Sequence, residues 1–181
     1  MQSSSRTLLI GGTLGAALTT PVLAAAPSTM DVVITIPQLK VAEYHRPYVA
    51  IWVEKAGAPA KTMAVWYDHD MKNNEGTKWL RDVRQWWRVS GRTMKFPANG
   101  VTGATRAPGE QKISFSRAQL GAGAPGEYVL VVEAAREVGG RELLRIPFVW
   151  PVRAGAGARA VGKTELGVVS GAFRGSHERA G

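Results

Sequence analysis

The chain has no cysteine. That excludes disulfides, thiolate metal sites, iron–sulfur clusters and the thioether attachment of c-type haem. Any redox role must therefore use a cofactor that sulfur does not hold. Histidine is also scarce, and His45, His69 and His177 stand far apart in sequence. Asp68-His69-Asp70 crowds metal-ligand residue types together, but its spacing matches no standard site. It reads as a solvated loop, and no metal is expected. Basic runs interleaved with aromatics are missing as well. No nucleic-acid partner is expected, despite a net charge of +9.

A catalytic constellation is equally hard to find. Ser170, in Val168-Val169-Ser170-Gly171, is not in a nucleophile elbow. Glu133 and Glu137, or Glu127 and Glu142, are expected to be solvent-facing charges of strands and turns. No catalytic residue is assigned, and the chain is not expected to be an enzyme.

What is present begins with an export signal. Arg6 supplies a short positive start, residues 8–23 are mostly apolar and small, and Ala24, Ala25 and Ala26 offer a cleavage site. Residues 1–25 are read as a signal peptide. Thr13, Thr19, Thr20 and Pro21 argue against an uncleaved anchor, because a span needs about 20 predominantly apolar residues. The mature protein is expected in the periplasm. There, 23 Lys and Arg against 14 Asp and Glu favour an acidic partner or peripheral contact with anionic headgroups on a membrane surface.

The remaining length, with 45% hydrophobic residues overall, suffices for one domain with a core. Period-two alternation predicts strands over residues 31–36, 48–54, 61–67, 112–116, 127–135 and 141–150, with a last strand over 164–169. Pro147 points to an edge strand or a bulge. Between them, Trp79, Leu80, Val83, Trp86 and Trp87 recur at helical spacing, which predicts one amphipathic helix over 77–89 capped by Thr77. About seven short strands with one inserted helix predict a mostly β chain, an immunoglobulin-like β-sandwich over residues 31–170. Residues 154–160 are expected to be flexible and residues 171–181 a flexible tail.

Residues 91–111 are predicted to form a long loop, and such loops are usually functional or disordered. In it stands Asn99-Gly100-Val101-Thr102-Gly103-Ala104-Thr105. Two hydroxyls three residues apart are separated only by Gly and Ala, so Thr105 offers a bare hydroxyl. This run resembles the acceptor motif for covalent flavinylation by the FAD:protein FMN transferase: Asp or Ser, a small residue, any residue, Ser or Thr, Gly, Ala, then Ser or Thr. Gly100, Thr102, Gly103, Ala104 and Thr105 fit it, while Asn99 departs from the usual first residue. The resemblance implies that Thr105 takes FMN as a phosphoester, with Thr102, Gly103 and Ala104 completing the cofactor-binding motif. Arg92, Lys95 and Arg106 flank it, either offsetting the phosphate charge or standing as ordinary loop charges. The indoles of the predicted helix are expected mainly to pack on a sheet, with Trp86 or Trp87 the candidate to stack on the ring, and a flexible loop is expected to let that ring swing.

A broader likeness covers residues 32–169. The hairpin over 48–67, the run Lys78-Trp79-Leu80-Arg81-Asp82-Val83-Arg84-Gln85-Trp86-Trp87-Arg88, the motif through Gly109, and Gly126-Glu127-Tyr128 through Trp150-Pro151 together resemble the predicted periplasmic domain of unknown function family 2271. That resemblance implies an exported protein acting beside the FMN transferase and a membrane PepSY-type redox protein, as an extracytoplasmic electron-transfer partner. The alternative is a non-redox periplasmic binding or adaptor module, in which Thr105 is inert.

Overall fold

The computed structural model describes residues 29–121, 124–152 and 155–174. The expected signal peptide and residues 175–181 of the expected tail lie outside the described residues. Alternation sets the first sheet: β1 (Thr29–Ile36) buries Met30, Val32, Ile34 and Ile36 and leaves the residues between them half-covered. It pairs antiparallel with β5 (Gly109–Ser116) on one side and β9 (Val168–Arg174) on the other. β8 (Gly157–Val161) completes this four-stranded sheet beyond β9.

The second sheet has five strands, in the order β4 (Thr102–Gly103), β3 (Lys61–Trp66), β2 (Tyr48–Glu54), β6 (Gly126–Ala135) and β7 (Arg141–Trp150). The β3–β4 pair is parallel and its other pairs are antiparallel. Pro147 lies on β7 at the edge of this sheet, where its missing N–H breaks no ladder. The two sheets share a core. Met30, Val32, Ile34, Phe115, Val169 and Phe173 from the first pack with Val49, Ile51, Leu130, Val132, Ile146 and Trp150 from the second. The chain is thus mostly β, with two sheets joined by one apolar layer.

β2 is buried on both sides. Tyr48, Ala50 and Trp52 form a second apolar cluster with Val65, Tyr67, Val131 and Ala135 on the outer face of the five-stranded sheet. A helical segment covers that face. It consists of a 3-10 helix (Lys72–Asp82), α1 (Arg84–Val89) and a short 3-10 turn (Gly91–Thr93). The single helix expected over 77–89 is therefore two helices broken at Val83. Thr77 does not cap it, and its hydroxyl donates to the Asn74 carbonyl instead. The buried stripe is Leu80, Val83 and Trp86. The stripe crosses the break, from the 3-10 helix through Val83 into α1, and its three-residue spacing is close enough to both helical periods to pass for one α-helix in sequence. Trp86 donates its indole N–H to Thr62 Oγ1 on β3 at 3.0 Å, fixing the segment to the sheet.

Several boundaries differ from expectation. Gly171–Arg174, expected in a tail, and Ser170 belong to β9, and residues 157–160, expected to be flexible, belong to β8. Of the last strand expected over 164–169, residues 164–167 are instead part of the β8–β9 turn, and only 168–169 are strand, the start of β9. The long loop expected over 91–111 contains a 3-10 turn, all of β4 and the start of β5. A short helix α2 (Arg117–Leu120) follows β5, closed by a reciprocal Ser116–Gln119 capping box.

Two glutamates expected to face solvent instead hold the layers together. Glu133, on β6, is fully buried. It accepts the backbone N–H groups of Gln85 (3.1 Å) and Trp86 (2.8 Å) and the Arg141 guanidinium (2.7 Å). Val83 at the start of α1 offers no side-chain cap, so Glu133 satisfies those N–H groups from across the sheet. Glu142, on β7, accepts N–H groups from Lys163, Thr164 and Leu166 in the β8–β9 turn. Burial alone would push its carboxyl up, and these donors outweigh that and hold it below the ordinary value of 4.5.

Two outcomes follow from these carboxylates. Glu133→Ala strands two helix N–H groups and Arg141, and urea unfolding should show a loss of about 3 kcal/mol. Glu142 has a depressed folded pKa, so its stabilisation is complete above the unfolded value and fades as pH falls through the folded one. Glu142→Gln should therefore be less stable than wild type at neutral pH. Its stability should also fall less steeply below pH 4.5, as read by urea midpoints across the acid range.

Candidate functional site

The expected acceptor motif begins as a closed turn. Val101 and Thr102 donate their N–H groups to the Ala98 carbonyl at 3.2 and 3.0 Å, and Thr102 Oγ1 accepts the Ala98 N–H at 2.9 Å. Gly100 sits at φ +71, the left-handed region that glycine enters freely. The chain then runs as β4 along the edge of β3. Val65 donates to the Val101 carbonyl at 2.8 Å, and Tyr67 to the Gly103 carbonyl at 3.0 Å. Gly103 lies against the Trp66 indole, and a Cβ there would approach Trp66 Cδ1 to 3.0 Å. The small residue between the two hydroxyls thus has a local packing reason.

The two hydroxyls differ in role. Thr102 closes the turn. Ala104 is exposed, and Thr105 is half-exposed just beyond the paired strand. Thr105 Oγ1 donates to Asp68 Oδ1 at 2.9 Å. Asp68 follows β3, and the sheet brings it beside Thr105 across 37 residues of sequence. A carboxylate accepting a hydroxyl proton raises the electron density on that oxygen and can take the proton when the oxygen attacks. His69 turns away to Asp70 at 2.8 Å, so the sequence triplet is split. Among the described residues no group of three or more His, Asp or Glu could hold a metal ion.

Thr105 and Asp68 open onto a cleft of about 500 Å³, within the size range of small-molecule sites. Tyr44, His45, Arg46 and Tyr48 approach it from the start of β2, Arg136 and Glu137 from the end of β6, and Lys78, Trp79 and Asp82 from the 3-10 helix. Burial and then the Asp68 carboxylate push the Tyr48 phenol up to about 12, so it stays neutral. Arg136 is fixed by a buried pair with Glu165, Nε to Oε2 at 2.9 Å.

The expected stacking partners sit elsewhere. Trp86 is fully buried, meeting Phe96 edge-on at 5.8 Å between ring centroids. Trp87 borders a separate shallow depression with Arg81, Arg84, Arg88 and Arg141. The indole that shares the cleft with Thr105 is Trp79, assigned from sequence to the packing face but 43% exposed. Of the flanking cations, Arg106 lies over the Trp66 ring at 5.2 Å rather than in the cleft. Asp68 and Trp79 carried no positional signal in sequence. An aspartate 37 residues from its partner and one aromatic of a tryptophan-rich run acquire meaning only from the sheet.

The family model described as "Predicted periplasmic protein (DUF2271)" matches residues 29–168, from the first residue of β1 to the first of β9. No curated protein matches the chain. Among the described residues no helix is long and apolar enough to cross a membrane.

The two threonines should separate in a stability assay. Thr102→Val leaves the part-buried Ala98 N–H without its acceptor and should lower stability by about 1–2 kcal/mol. Thr105→Val removes one exposed hydrogen bond and should cost no more than about 0.5 kcal/mol. Parallel urea melts would reveal the difference, and equal losses would contradict these separate roles.

Proposed function

The chain belongs to the DUF2271 family of predicted periplasmic proteins, and from that membership and the geometry of Thr105 we propose that it is an exported carrier of covalently attached FMN. The observation that carries the reading is the Thr105 hydroxyl, half-exposed at the mouth of a cleft and hydrogen-bonded to Asp68 at 2.9 Å. In this reading the chain is the substrate of an FMN transferase and not a catalyst. Thr105 Oγ attacks the FMN-side phosphorus of FAD. The new Oγ–P bond forms, the pyrophosphate bond to AMP breaks, and AMP leaves. Asp68 takes the hydroxyl proton and passes it to solvent.

An FMN so attached supplies reversible electron uptake, which a chain without cysteine has no sulfur-bound cofactor to provide. The protein contributes a covalent tether and the polar surroundings of the cleft. Its partner is a membrane PepSY-type redox protein. The depression bordered by Arg81, Arg84, Arg88 and Arg141, with Asp82 among them and Arg141 paired with Glu133, keeps a basic edge that supports docking on an acidic partner or an anionic membrane surface.

The strand order supports an immunoglobulin-like reading of the sandwich. β1 pairs with β5 in one sheet, and β3, β2, β6 and β7 lie side by side in the other. That is the neighbour relation of strands B with E, and of C′, C, F and G, in a variable-type immunoglobulin domain. β9 lies beside β1 where strand A would pair, so the C-terminal hairpin takes the place of the first strand.

The test is the intact mass of the exported protein coexpressed with an FMN transferase. The wild type should gain the mass of FMN less one water, Thr105→Ala should gain none, and Thr102→Ala should still be modified at Thr105. Asp68→Asn should be modified several-fold more slowly. An unmodified wild type, with the transferase shown active on another substrate, would overturn the proposal and leave a non-redox adaptor.

A further inference from the structure

The apolar surface of the described residues is distributed unevenly. Eight large hydrophobic side chains are exposed, and six of them are valines. The other two, Met71 at 42% and Trp79 at 43%, both line the cleft that Thr105 opens onto. Trp79 is not needed to hold its helix down, because Leu80, Val83 and Trp86 do that from the buried side. An exposed indole in a cleft, on a surface whose other large exposed hydrophobics among the described residues are Met71 beside it and six valines, marks a binding wall.

Resting on the reading of Thr105 as the attachment point, we propose that this cleft is the seat of the isoalloxazine ring and that Trp79 is its stacking wall. Thr105 and Trp79 border one space of about 500 Å³, so a ring tethered at Thr105 opens onto the indole. Stacking of a flat ring on an aromatic face needs no hydrogen bond and tolerates a polar rim. The rim offers a polar partner for the carbonyl edge of such a ring. Arg46 borders the cleft and forms no ion pair among the described residues, whereas the Tyr44 hydroxyl, also unpaired among them, is buried and presents no surface to the cleft. Lys78 and Arg136 are already engaged by Glu75 and Glu165.

The tether sets which part of the group enters. The phosphate is held at Thr105 at the mouth, so the ring is the part that can reach inward to Trp79. The lining mixes Asp68, Glu75, Asp82 and Glu137 with Arg46, Lys78 and Arg136, so charge does not choose the occupant. The motif strand is itself tied to β3, and its turn is closed by Thr102. The expected swinging ring therefore gives way to a docked one.

Flavinylated wild type and variants, each with attachment verified by intact mass, would be compared by flavin fluorescence and visible circular dichroism. The attached flavin should be several-fold dimmer than free FMN and show an induced visible signal. Trp79→Ala should brighten it several-fold and abolish the signal, while Trp79→Phe, which keeps a ring, should stay dim. Trp87→Ala, on the same helical run but outside the cleft, should match wild type. A wild-type flavin as bright as free FMN, without an induced signal, would overturn the seat and leave the attachment standing. So would a dim Trp79→Ala. If the wild type gains no mass, the attachment reading fails, and titration of riboflavin into the unmodified chain decides the seat separately. Saturable quenching lost in Trp79→Ala supports it, and no quenching overturns it.

Discussion

A strand buried on both faces cannot be satisfied by a single partner sheet. β2 presents Val49, Ile51 and Val53 to the shared core and Tyr48, Ala50 and Trp52 to the opposite side. Each face would expose a row of apolar surface unless covered, at roughly 25 cal/mol per Å². The first sheet covers one face. The other requires a third layer, and the longest connection among the described residues, from the end of β3 to β4, supplies it. That connection becomes the helical segment, and its position is fixed by a carboxylate, Glu133, reaching through from β6 to the start of α1. The cleft lies where that helical layer meets the start of β2 and the end of β6, with Lys78, Trp79 and Asp82 forming one wall.

Sequence resolved the elements whose periodicity is dictated by one neighbour. β1 alternates because it faces a single core, and the hairpin of β6 and β7 shows its turn and its edge proline. It resolved less where structure comes from distant pairing. β4 is two residues long and exists because β3 offers an open edge. β8 is rich in alanine and glycine, a composition that reads as linker until β9 pairs with it. The helix was misjudged because Leu80, Val83 and Trp86 satisfy a period of three about as well as one of 3.6. Glu133 was misplaced for a related reason. A lone acidic residue in a hydrophobic strand looks solvent-facing unless the helix terminus that needs it is in view.

The site divides in the same way. Thr105 was legible as a local motif, since a hydroxyl after Gly and Ala needs no tertiary information to be recognised. Its surroundings were not. Asp68 belongs to a triplet whose obvious chemistry is metal binding, and the fold splits that triplet, sending Asp68 to Thr105 and His69 to Asp70. The indole that lines the cleft with Thr105 is Trp79 and not Trp86 or Trp87. Burial of the stripe at 80, 83 and 86 turns position 79 out toward the cleft.

On the proposed attachment at Thr105, the hydrogen bond to Asp68 would set what changes in the loop. An esterified Oγ has no proton to donate, so Asp68 would then face an acceptor oxygen and a phosphate of its own sign. That contact is lost on attachment. The anchors behind it do not use that proton: Val65 to Val101, Tyr67 to Gly103, and Thr102 to Ala98 are all bonds of other groups. The register of β4 against β3 therefore survives, while the single residue beyond it is released from Asp68. Under the proposed attachment the strand would stay fixed and only one side chain would yield, which would direct the group without a change of fold.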